Sequence, residues 1–193
     1  AVRAAEEGTS GEIVVAVVRS CARWDVAGWR CAALLALLAL GAIGLWGEAL
    51  PIGVIMLVEI GAGAVGFLLV RVPAVARAFL SDAALIDAAE MRAAAMFAQH
   101  GLGNTAGRTG VLILVALFEH RVVVLADEAV NEALEPGESW TAIVDGILAR
   151  IREGRAVDGL VEAIAACGQI LSHPLPADID DADQIIRTLV LED

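Results

Sequence analysis

Cys31–Trp46 reads CAALLALLALGAIGLW and Ala49–Val70 reads ALPIGVIMLVEIGAGAVGFLLV, with only Gly47 and Glu48 between them. The first run carries no charge and the second carries one, Glu59. A bilayer hydrocarbon core roughly 30 Å thick is crossed by about 20 mostly apolar helical residues. Two such runs joined by so short a turn predict a transmembrane helical hairpin over residues 31–70. The alternative is a pair of buried helices in a soluble core, and runs this long and this uniformly apolar are unusual there.

The flanks of the hairpin agree with a membrane. Arg19, Arg23, Trp24, Trp29 and Arg30 precede it, and Arg71 and Arg77 follow it. Arg and Trp together favour the membrane interface. Five arginines thus sit at the base, whereas the tip has only Glu48. By the positive-inside rule the base faces the cytoplasm, and both termini and the soluble part lie there with it. Within the second span, Gly61, Ala62, Gly63 and Gly66 are small residues that let helices approach closely. Glu59 is the intramembrane ionisable group. It is either a functional carboxyl or a protonated acid hydrogen-bonded to its partner helix.

Removing residues 31–70 leaves about 150 residues, enough for one domain. Glu12–Val18, EIVVAVV, predicts a strand buried on both faces. Ala74–His100 predicts a long Ala-rich helix that bends around Ser81-Asp82. Gly101–Gly110 is a loop by composition. Val111–Leu117 and Arg121–Ala126 predict two strands joined by a tight turn, hence a β-hairpin in one sheet with the first strand. Helices are predicted over Glu128–Leu134, over Trp140–Arg152 with Ser139 as its cap, and over Ala156–Leu171. Residues 174–193 are a Pro-punctuated acidic tail, expected to be loose. The fold class is α/β, a small sheet flanked by helices with the two-helix transmembrane hairpin inserted after the first strand.

Net charge is −12, from 25 acidic and 13 basic residues, and every basic residue is Arg. Such an acidic chain is no partner for nucleic acid, whose phosphates it repels. It permits cations or basic partners. Cys21, Cys31 and Cys167 show no CxxC spacing, so a disulfide framework is not expected. The chain opens AVRAAEEGTS, without Met or a signal-peptide pattern, so a true N-terminus that is missing or trimmed is expected.

Several stretches, taken in order, resemble one family. They are Ser10-Gly11-Glu12-Ile13-Val14-Val15; Thr105 and Arg108 before Gly110-Val111-Leu112-Ile113; Glu119-His120-Arg121; Ala126-Asp127; Trp140; and Gly159 through Leu171 followed by Pro174. Together they resemble the TPM domain, named for a thylakoid photosystem II repair protein and a receptor modulator, in its bacterial branch with a membrane hairpin. The resemblance implies a TPM-like α/β sandwich in the bacterial inner membrane. It also implies a divalent cation such as calcium or magnesium near the strand ends in some members, and phosphatase activity in some.

The candidate site is therefore the loop before the second strand with the end of the third. Asp127 stands where a strand gives way to a helix, the place where ligands gather in α/β folds. Its carboxylate can hold a hard cation, Thr105 supplies a hydroxyl, and Arg108 can pair with an anionic ligand. Equally, Asp127 can cap the following helix while Arg108 pairs with a structural carboxylate. Asp180 and Asp181 of the tail can add cation ligands, or simply be solvated; the tail lacks the family's usual ending. His100, His120 and His173 have no metal-ligand spacing. The expected function is a membrane-anchored binding or accessory module that serves assembly or maintenance of a membrane protein complex. Its expected partners are the lipid bilayer and a membrane protein or a second copy. The alternative is a metal-assisted phosphatase using Asp127, Thr105 and Arg108.

Overall fold

β1, Glu12–Val18, lies at the centre of a sheet of order β3-β2-β1-β4 in the computed structural model, which describes residues 9, 11–46, 50–105, 107–132, 140–153, 155–172 and 190–192. β2, Gly110–Ala116, runs parallel to β1, with Glu12 opposite Gly110 and Val18 opposite Ala116. β3, Arg121–Ala126, returns antiparallel to β2 after the turn Leu117–His120, with Val111 opposite Ala126. Every residue of β2 is buried, which is why GVLILVA is continuously apolar rather than alternating.

The period of two along each strand sorts the sheet into two faces. Ile13, Val15, Val111, Ile113 and Val115 point to one face. That face packs on α6, Trp140–Arg152, and α7, Ala156–Ser172, through Ile143, Ile147, Ile164, Cys167 and Leu171. Val14, Ala16, Val18, Leu112 and Leu114 point to the other face. There they meet Ala89, Ala93 and Met96 of α4, Asp82–Gln99, together with Leu102. The domain is thus three layers, and the small alanines of α4 let it lie close to the sheet. Gly159 brings α7 against α6, since a Cβ there would stand 2.7 Å from the Arg150 Cβ. Arg150 and Glu162 join the same two helices with two hydrogen bonds of 3.0 Å.

The C-terminal tail was expected to be loose, and Val190–Glu192 corrects this. It forms β4, parallel to β1 at Ala16–Val18. An open strand edge accepts a short segment whatever the charge of the stretch before it. The second strand also begins one residue earlier than expected, at Gly110, and Leu117 falls in the turn. Ser139 lies outside the described residues.

Two units make up the chain, Ala1–Cys21 with Ile86–Asp193, and Ala22–Leu85. The second contains α1, Asp25–Trp46, and α2, Ile52–Leu69, which pack on each other. Gly66 sits so close to α1 that a Cβ would be 2.7 Å from the Ala32 Cα. Of α1 only Ala27, Gly28 and Cys31 are buried, and of α2 only Gly66. Leu37, Leu45, Ile52, Leu57 and Ile60 are exposed. Both helices are long and apolar enough to cross a membrane, and this exposure is the reverse of a soluble core helix. α1 starts at Asp25, six residues before the apolar run, because Asp in a first turn favours a helix whatever its hydropathy. The expected bend around Ser81-Asp82 separates α3, Pro73–Ala78, from α4; Ser81 Oγ accepts the Ala84 N–H at 3.3 Å.

Candidate functional site at the Asp127 corner

The pairing of Val111 with Ala126 brings the start of β2 beside the end of β3. The Asp127 N–H donates to the Gly110 carbonyl at 2.9 Å, closing the corner. Gly110 is needed here, since a Cβ would run into the Leu102 carbonyl. The loop ahead of it is held by its own hydroxyl. Thr105 is buried, and its Oγ1 accepts the Thr109 N–H at 2.9 Å. The Arg108 N–H donates to the Thr105 carbonyl at 3.0 Å, with Arg108 at φ 53, a conformation that side-chain-bearing residues seldom adopt. The Glu12 N–H donates to the Thr109 carbonyl at 3.2 Å, tying the loop to β1.

Asp127 caps the short helix α5, Glu128–Glu132. Its Oδ1 accepts the Glu128 N–H at 2.7 Å, and its carbonyl accepts the Asn131 N–H at 3.1 Å. Arg108 Nη2 stands 3.6 Å from the same Oδ1, while Nη1 bonds the Glu128 carboxylate. The helix-capping and ion-pair roles weighed from the sequence are thus both present. Asp127 Oδ2 remains. It is buried, on a residue 9 % exposed, and has no hydrogen-bond partner among the described residues. Asn131 completes the corner: its Nδ2 donates to the Ala126 carbonyl at 2.8 Å, and its Oδ1 accepts the Trp140 indole N–H at 3.0 Å.

The structure therefore brings Thr105, Arg108 and Asp127 together. It adds Glu128, Thr109 and Asn131, which sequence reasoning missed. Glu128 carried a signal, as a second carboxylate beside Asp127. Asp180 and Asp181 lie outside the described residues, as does His173. His100 lies in the turn just after α4, and His120 sits in the β2–β3 turn. Among the described residues no three His, Cys, Asp or Glu side chains stand close enough to hold a metal between them. Asp127 Oδ2 is a buried carboxylate oxygen, the donor type that hard cations take. The Thr105 hydroxyl oxygen accepts the Thr109 N–H.

Glu119 lies in the turn between β2 and β3. It is 1 % exposed, and its Oε1 accepts the Ser20 hydroxyl at 3.1 Å and the Cys21 N–H at 2.9 Å. No local spacing announces this, because the partners are 98 and 99 residues away. Burial, then the Glu119 charge and hydrogen bond, push the Cys21 thiol up to about 12, against the opposing pull of Arg92.

In the unit of residues 22–85, Arg23 pairs with Asp25 at 3.5 Å and Arg30 Nη1 donates to the Phe79 carbonyl at 2.7 Å. Trp29 is exposed and meets Phe67 edge to face, with ring centroids 5.6 Å apart. The Trp24 carbonyl accepts the Ala27 N–H at the start of α1. Arg71 follows α2 and Arg77 lies in the last turn of α3. Glu59 is half-buried on α2, and its Oε1 is enclosed without a hydrogen-bond partner among the described residues. Arg19, just after β1, belongs to the other unit.

The family model of the TPM domain matches residues 78–170. The NMR structure of the BA42 protein from the psychrophilic bacterium Bizionia argentinensis is similar in fold, with a TM-score of 0.57 and 19 % identity. The match covers 98 % of this chain and 86 % of that one. No curated protein matches the chain.

Proposed function

Residues 78–170 of this chain are a TPM domain, and from that premise we propose that the protein is a membrane-anchored binding module of the bacterial inner membrane. In this reading α1 and α2 cross the bilayer, and the base arginines hold the domain and both termini on the cytoplasmic side. The module serves assembly or maintenance of a membrane protein complex, with a divalent cation at the Asp127 corner.

One observation carries the binding reading over a catalytic one. Asp127 Oδ2 is buried and unpartnered among the described residues, while Asp127 Oδ1 holds the Glu128 N–H and the Thr105 hydroxyl oxygen holds the Thr109 N–H. An orphaned buried carboxylate oxygen is costly unless something fills it, and a hydrated cation does so. Arg108 then acts as the resident counter-charge that a cation displaces. The metal-assisted phosphatase reading instead uses Arg108 to hold a phosphate and requires it to leave Glu128.

Calorimetric titration of the full chain in detergent with magnesium and calcium tests the site, with Asp127→Asn as the control. Binding that disappears in the variant supports the module, provided that no phosphate ester is hydrolysed with metal present. Hydrolysis abolished by Asp127→Asn overturns it in favour of the phosphatase. Carbonate extraction of native membranes tests the anchor, and release of the chain defeats it. Co-purification from those membranes addresses the partner.

A further inference from the structure

We propose that the base of the helical hairpin binds the headgroup of an anionic phospholipid such as phosphatidylglycerol. Arg23 and Arg71 make the phosphate contacts, and Arg30 is the residue that positions α3. The inference rests on the membrane-anchored reading above and adds the chemistry of the lipid. It begins from where the chain puts its charge. The arginines of residues 22–85 are Arg23, Arg30, Arg71 and Arg77, and all four flank the apolar spans.

The packing gathers them at one end. A Cβ on Gly28 would meet Phe67 at 2.9 Å and Val70 at 3.5 Å, so the first turns of α1 lie against the last turn of α2. Arg23 and Arg30 thereby share an end with Arg71. The 2.7 Å bond from Arg30 to the Phe79 carbonyl then draws the end of α3, with Arg77 in its last turn, to the same place. Arg71 is exposed and makes no ion pair among the described residues. Arg23 has only Asp25 at 3.5 Å, and both side chains are largely exposed, a pairing weak enough to exchange.

A phosphodiester suits this end better than a carboxylate-bearing partner. The guanidinium fork binds phosphate in a bidentate manner. The exposed apolar surface of α1 and α2 accepts the acyl chains of the same molecule, and exposed Trp29 stands at the junction of the two. The chain as a whole is −12 and is repelled by an anionic surface. The attraction is therefore local, acting within a screening length of about 8 Å at physiological ionic strength, and it picks out individual headgroups.

The test is native mass spectrometry of the full chain in non-ionic detergent with an equimolar mixture of phosphatidylglycerol and phosphatidylcholine. The expected result is preferential retention of phosphatidylglycerol. Arg23→Gln and Arg71→Gln each reduce that preference roughly fivefold. Arg30→Gln also reduces it, and Arg155→Gln on the other unit does not. Equal retention of the two lipids, or a preference untouched by Arg23→Gln with Arg71→Gln, overturns the inference. Carbonate-resistant insertion into pure phosphatidylcholine vesicles is measured alongside. Insertion without lipid preference defeats this inference and leaves the anchor standing, whereas failure to insert defeats both.

Discussion

The carboxylate of Glu119, on the turn between β2 and β3, accepts the backbone N–H of Cys21 at 2.9 Å from 98 residues away. Ser20 donates to the same oxygen at 3.1 Å. Three residues after β1 ends, and immediately before residues 22–85 begin, the chain is pinned to the far end of β2. Hydrogen bonds to a buried charge contribute about 1.5–3 kcal/mol. Glu119→Ala is therefore expected to cut hydrogen-exchange protection of the Cys21 amide by one to two orders of magnitude. Glu119→Gln, which keeps the shape and loses the charge, does less. Unchanged protection in both variants would mean that the contact holds nothing.

The same carboxylate governs the Cys21 thiol. With the thiol at about 12, alkylation by iodoacetamide at pH 8 is slow. Glu119→Gln removes the charge, the second cause of the shift, and leaves burial and an acceptor oxygen, so the rate rises. Arg92→Gln removes the opposing charge, so the rate falls. Stability follows the same sign. A thiol that ionises at about 12 in the fold and near 9.0 ordinarily holds its proton more tightly when folded. Its contribution is complete below pH 9 and is lost as pH rises from 9 to 12. Cys167, pushed up to about 12 by burial alone, adds to the same alkaline loss. Thermal melts across that range should show a shallower decline for Cys21→Ser than for the parent.

Gly66 and Gly61 sit five residues apart on α2 in opposite situations. A Cβ on Gly66 would stand 2.7 Å from the Ala32 Cα and 2.9 Å from the Cys31 carbonyl oxygen, both backbone, whereas one on Gly61 meets nothing within 4 Å. Backbone cannot rotate away, so Gly66→Val must separate α1 from α2 near the base. The expected outcome is a lower melting temperature in detergent, with Gly61→Ala indistinguishable from the parent. A Gly66→Val protein that melts normally would argue against this helix pairing.

Some of these elements announce themselves in the sequence and others do not, for physical reasons. The strands Glu12–Val18 and Arg121–Ala126 and the helix Trp140–Arg152 have the predicted limits, because β-branched runs and a helical stripe of isoleucines are local properties. The corner at Asp127 is legible for the same reason, since a strand that ends in Asp before a helix is a local pattern. The ion pair from Arg108 to Glu128 is not, because it depends on two loops meeting. Nor is β4, three residues whose strand character comes from the open edge of β1. The start of α1 at Asp25 was hidden because hydropathy marks where a membrane begins, not where a helix does.

The relation between Arg108 and Asp127 separates the two readings of the corner. If Arg108 is a resident counter-charge, it competes with any cation for Asp127 and Glu128. Removing a like charge roughly 4 Å from the ligand, in a partly solvated setting, strengthens cation binding by about tenfold or more. Arg108→Gln should therefore bind magnesium more tightly than the parent, while Asp127→Asn loses binding and Glu128→Gln weakens it. Thr105→Val should loosen the loop through the lost 2.9 Å bond to the Thr109 amide and reduce affinity only as far as the loop moves. Calorimetry on the four variants reads all of this. Were Arg108→Gln to leave magnesium binding unchanged and abolish the binding of inorganic phosphate, the guanidinium would be a ligand group. The corner would then be an anion site of the phosphatase kind.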